Sequence, residues 1–98
     1  MKLLTPELRA EFARIGKTQD ADDPLVVAKF RCPGTGWTWY AIEFDGDDTF
    51  WGFVSGFADE FGDFSLTELE ALTGAGEVER VEDWKPRAIS SVLGRELR

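Results

Sequence analysis

Asp45, Asp47 and Asp48 crowd the four residues Asp45-Gly46-Asp47-Asp48, and Asp59, Glu60 and Asp63 follow in the next turn region. Carboxylates at such spacing have three possible uses: ligating a hard cation, acid–base work as a pair, or projecting a negative field onto a basic partner. The first lacks the ligand ladder and distal Glu of an EF-hand, so a hairpin turn accounts better for the Asp-Gly stretch. For the second, no pair is set at a defined separation, and a chain of 98 residues is small for a sugar-cleaving cleft. The field remains. Residues 32–79 hold eleven carboxylates and no Lys or Arg, whereas residues 1–31 and 80–98 sum to +1 and +2, so the net charge of −8 arises in the middle of the chain.

Other chemistries lose their reagents. The chain has no histidine, which removes Ser-His-Asp and Cys-His relays and His-ligated metals. Its single Cys32 forms no intrachain disulfide or thiolate cluster, which suits a reducing, cytoplasmic setting. Gly34-Thr35-Gly36 lacks the lysine and following helix of a phosphate loop. Four Trp and eight Phe could stack on bases, but single-strand binders pair such platforms with basic grooves, and these rings lie in the acidic segment. The expectation is a non-enzymatic protein that takes no cofactor, metal or nucleic acid directly. Met1-Lys2-Leu3-Leu4 resembles a signal-peptide start, yet Pro6, Glu7 and Arg9 interrupt it, and no run reaches the roughly 20 apolar residues of a membrane span.

The elements that must position these acids follow from periodicity. With 43% hydrophobic and 31% charged residues, the composition is that of one small globular domain, residues 1–98. Thr5-Pro6-Glu7 supplies an N-cap, a first-turn proline and an acid, predicting a helix over 5–15 that stops at Gly16. Leu25 to Arg31 alternates as one strand, with Val26, Ala28 and Phe30 on one face. Trp37 to Phe44 and Thr49 to Ser55 flank the Asp-Gly turn as a central aromatic hairpin, placing Tyr40, Ile42, Trp51 and Phe53 on one face and Trp37, Trp39, Phe50 and Val54 on the other. Both faces are apolar, so helices cover both, or one aromatic face docks a partner through Trp37 and Trp39.

Phe61 to Phe64 reads as a short edge strand. Ser65-Leu66-Thr67-Glu68 then matches a capping box opening a second helix that ends at Gly74. Val78 to Trp84 is a last strand before Pro86, and Ala88 to Leu97 a final short helix. The fold expected is α+β: a small antiparallel sheet of about four strands built on the central hairpin, with two or three short helices.

The block from Gly56 to Glu70 carries Gly56, Glu60, Gly62, Phe64, Ser65, Leu66, Glu68, Leu69 and Glu70 in a G-x-x-x-E-x-G-x-aromatic-Ser-Leu-x-Glu-Leu-Glu pattern. With Leu-Leu-Thr-Pro-Glu near the start and Val-Glu-Arg downstream, the chain resembles the bacterial domain-of-unknown-function family DUF 2958 over nearly its whole length. Where relatives show Val-Glu-Arg-Asp, this chain has Val78-Glu79-Arg80-Val81. The resemblance implies a stand-alone protein of phages, plasmids and integrated elements with no assigned activity.

Two functional readings follow. In the first, the protein is an inhibitor or adaptor that engages a basic nucleic-acid-binding surface of a host defence effector, of anti-CRISPR or anti-restriction type, through Asp45, Asp47, Asp48, Asp59, Glu60 and Asp63. These acids are preferred to Glu68 and Glu70, which helix N-terminal geometry already explains, whereas acids in exposed turns have no evident structural duty. In the second, a structural or regulatory domain docks through the aromatic sheet face at Trp37 and Trp39, and the acids serve solubility.

Overall fold

The computed structural model describes residues 2–72 and 76–95. Helix α1 (Pro6–Ile15) starts where the Thr5 hydroxyl accepts the Leu8 amide at 3.1 Å, and stops at Gly16, whose φ of 74° is open mainly to glycine. It is followed by β1 (Leu25–Val26), β2 (Ala28–Arg31), β3 (Thr38–Phe44), β4 (Thr49–Ser55), β5 (Asp59–Ser65), α2 (Leu66–Ala71), β6 (Glu79–Arg80), β7 (Arg87–Ala88) and α3 (Ile89–Arg95). The main sheet is antiparallel in the order β5-β4-β3-β2-β6, and β1 pairs with β7 in a separate two-stranded ladder. The α+β class holds, with five strands in the main sheet where about four were expected.

The hairpin faces are those its alternation specifies. Trp39, Ala41 and Phe50 join Leu3, Phe12, Phe30 and Leu69 in one core beneath α1 and α2, while Tyr40, Ile42 and Phe53 join Val26, Ile89 and Val92 in a second core beneath α3. Helices therefore lie on both sides of the sheet. Phe12 of α1 meets Phe44 and Phe50 at centroid distances of 6.0 and 5.6 Å, so ring packing seats this helix. Gly52 is required where β4 crosses β3, because a Cβ there would lie 1.9 Å from the Tyr40 carbonyl oxygen.

Four expectations are corrected. The continuous strand from Leu25 to Arg31 breaks at Val27, whose amide donates to the Ala41 carbonyl at 2.8 Å, while the Val26 carbonyl accepts the Trp84 indole N–H at 3.0 Å. The break divides the strand between the two cores: Val26 enters the second, and Val27, Ala28 and Phe30 the first. The strand from Val78 to Trp84 shrinks to Glu79–Arg80, because the Trp84 amide turns back onto the Val81 carbonyl at 3.3 Å and frees the indole for Val26. The edge strand begins at Asp59 rather than Phe61. Helix α2 ends at Ala71, with Leu72 extended and its amide on the Leu69 carbonyl, short of Gly74; Gly74 itself and the final helical turn at Leu97 lie outside the described residues.

Candidate functional site

The acids expected to be free surface charges divide into two kinds. Asp45 accepts the amides of Asp47, Asp48 and Thr49 on one carboxylate oxygen at 2.8, 3.0 and 3.1 Å, closing the hairpin loop around Gly46 with its φ of 92°. Asp48 accepts the Ser65 hydroxyl at 2.5 Å, and the Thr67 amide and hydroxyl at 2.9 and 2.6 Å, which ties this loop to the start of α2. Both carboxyls are held below the usual range: Asp45 by the amides of Asp47 and Thr49, Asp48 by the hydroxyls of Ser65 and Thr67. The expectation that these two acids lack a structural duty is therefore wrong. Arg9 completes the loop by donating to the Gly46 carbonyl at 2.7 Å while its guanidinium lies over Phe44.

The second kind has no cationic partner among the described residues. Among the described residues, none forms a hydrogen bond or ion pair with the carboxylates of Asp47, Glu60 or Asp63, all three of which are exposed. Asp59, also exposed, accepts the Ser55 hydroxyl at 2.9 Å and has no other side-chain partner among the described residues. Three of these four acids lie on β5, an edge strand of the sheet.

Register decides what surrounds them. Asp59, Phe61 and Asp63 oppose Ser55, Phe53 and Trp51 on β4, so all three share the face of the second core. Ile89 and Val92 of α3, with Trp84, cover the part of that face at Tyr40 and Ile42, but near β5 the Phe61 ring emerges. Phe61 is 47% exposed, stacks on the half-buried Trp51 at 5.4 Å and 16°, and meets Phe53 edge-on at 5.0 Å. Beside this ledge Lys17, Gln19, Glu43, Trp51 and Asp63 line a dent of about 130 Å³. Glu43, 8% exposed, is held there by the Gln19 amide at 3.0 Å and the Gln19 side-chain amide at 3.1 Å. Glu60 points to the opposite face beside Val54.

The Trp37 and Trp39 surface is different from the one expected. Trp39 is 6% exposed and belongs to the core, and Trp37 is half-buried with Phe57 edge-on to it at 5.1 Å. Gly56 lies flush on the Trp37 ring, where a Cβ would approach to 2.7 Å. Phe57 itself projects into solvent at the β4–β5 turn. Sequence reasoning thus missed Phe61, Trp51 and Glu43 as site residues. The signal was present at Asp59, Phe61 and Asp63, whose two-residue spacing puts acid, ring and acid on one face of a strand that starts at Asp59.

This face combines exposed charge, the exposed Phe61 ring and the open backbone of an edge strand, features that protein interfaces use. Among the described residues no three Asp, Glu, Cys or His side chains are grouped to hold a metal ion, and no helix is long and apolar enough to cross a membrane. Comparison with curated proteins and with solved structures finds no match. A family model does match, over residues 3–91, and by it the chain belongs to the proteins of unknown function DUF2958.

Proposed function

We propose that this chain is a non-enzymatic binding protein whose β5 face engages a basic surface on a partner protein. The observation that carries the reading is the placement of Asp59, Glu60 and Asp63, without a cationic partner among the described residues, around exposed Phe61 on the sheet edge. A solubility device needs charge but not an aromatic ring at its centre, whereas interfaces combine a ring that loses water with a charged rim. Asp45 and Asp48 support this face by holding the loop and α2, and Asp47 extends its negative field. The target class is a surface that otherwise holds nucleic acid, since such surfaces carry the matching positive charge. In the phage or plasmid setting that the resemblance implies, this makes the chain an inhibitor or adaptor acting on a host effector.

The test is parallel affinity purification from a bacterial lysate with the wild-type chain and an Asp59→Asn, Glu60→Gln, Asp63→Asn variant. The reading requires a protein held by the wild type, lost from the variant and displaced by added duplex DNA or RNA. A set of retained proteins identical for the two chains contradicts it. The Trp37 and Trp39 docking alternative is not favoured, because Trp39 contributes its ring to the core.

A further inference from the structure

The edge position of β5 carries the reading further, because an outermost strand offers unpaired backbone N–H and C=O groups that a second strand can complete. β5 is seven residues long, the same length as β3 and β4, and so gives an added strand a full-length template.

Its side chains choose the occupant. In antiparallel self-pairing centred on Phe61, Asp59 of one copy would face Asp63 of the other at both ends; in parallel in-register pairing Asp59, Glu60 and Asp63 would each face themselves. Like charges directly opposite one another disfavour both arrangements. The same residues facing a strand with Lys or Arg at the first and fifth positions and an apolar residue at the third would form two opposite-charge pairs around a ring contact, all on the Phe61 face. Glu60, on the other face, takes one further basic residue.

We infer that β5 is a strand-addition site for an extended basic segment of a partner protein, with a basic–apolar–basic alternation matched to Asp59, Phe61 and Asp63. This inference rests on the proposed function and specifies its geometry: the partner contributes a strand, not only a charged surface.

The probe is a synthetic peptide of sequence Thr-Lys-Val-Phe-Lys-Lys-Thr, whose antiparallel docking sets Lys opposite Asp63, Phe opposite Phe61, and Lys opposite both Glu60 and Asp59. A second peptide of identical sequence is N-methylated at alternate residues on its pairing edge, which removes the ladder but keeps the charges. Amide hydrogen exchange and titration by NMR read both. The inference expects at least a tenfold weaker affinity for the methylated peptide, and slowed exchange of β5 amides with the unmodified peptide alone. Equal affinity of the two peptides, or binding without slowed exchange in β5, overturns strand addition while leaving charge-driven binding in place. Equal binding of the unmodified peptide by the Asp59→Asn, Glu60→Gln, Asp63→Asn variant overturns the acidic face and with it both readings. No binding of the unmodified peptide at millimolar concentration overturns strand addition.

Discussion

Asp48 and Thr67, nineteen residues apart, are joined twice: one oxygen of the Asp48 carboxylate accepts both the amide of Thr67, at 2.9 Å, and its hydroxyl, at 2.6 Å. With the Ser65 hydroxyl on the second oxygen and the Leu66 amide on the Asp48 carbonyl at 2.8 Å, the hairpin loop holds the junction of β5 with α2. The loop acid is thus a brace for the strand that carries the free acids.

Acid should loosen this brace. Asp45 and Asp48 have folded-state pKa values below the ordinary carboxylate value, as does Asp23, which accepts the hydroxyl and amide of Ser90 at the start of α3. Groups lowered on folding contribute stability that is fully present above the unfolded value of about 4 and is lost as pH falls through the lower folded value. The Tm should therefore fall below about pH 4, and Asp48→Asn should flatten that limb while lowering Tm at neutral pH. An unchanged acid limb in the variant would contradict the role given to Asp48.

Trp84→Phe should cost about 1–3 kcal/mol in denaturant unfolding, because it leaves the carbonyl of fully buried Val26 without its indole donor at the strand break. A change under about 0.5 kcal/mol, the range of an ordinary surface substitution, would show that the break does not depend on that bond.

Phe50→Ala should cost about 3–5 kcal/mol, since Phe50 is fully buried and its ring meets Phe12, Phe30, Phe44 and Phe64. Phe57→Ala, at a position 98% exposed, should stay within about 0.5 kcal/mol. Comparable losses for the two would contradict the core assignment.

Lys17→Met should strengthen binding of the basic peptide roughly two- to fivefold, because Lys17 shares the dent with Glu43 and Asp63 and opposes an incoming cation. Titration calorimetry reads this, and an unchanged affinity in the variant would place the peptide away from the dent.

Helix α1 was legible because its signals are local: Thr5, Pro6 and Gly16 specify both ends, and Phe12 faces the sheet at helical spacing. The hairpin faces followed from alternation across an Asp-Gly turn. The break at Val27 was hidden because alternation from Leu25 to Arg31 is intact, and the bonds that divide the strand come from Ala41 and Trp84, distant in sequence. The duty of Asp45 is local and readable in principle, as an aspartate binding amides two to four residues on. That of Asp48 depends on where α2 folds back. The exposure of Phe61 is equally non-local, because it depends on how far α3 reaches across the second core.

The central claim, that Asp59, Glu60 and Asp63 bind a partner rather than only dissolve the chain, is tested most directly by association kinetics of the Thr-Lys-Val-Phe-Lys-Lys-Thr peptide at several ionic strengths. Exposed charges are screened over about 8 Å at physiological salt. The wild-type on-rate should therefore fall steeply as salt rises, and the Asp59→Asn, Glu60→Gln, Asp63→Asn variant should start lower and respond little. A variant that keeps both the on-rate and the salt dependence of the wild type would contradict the account.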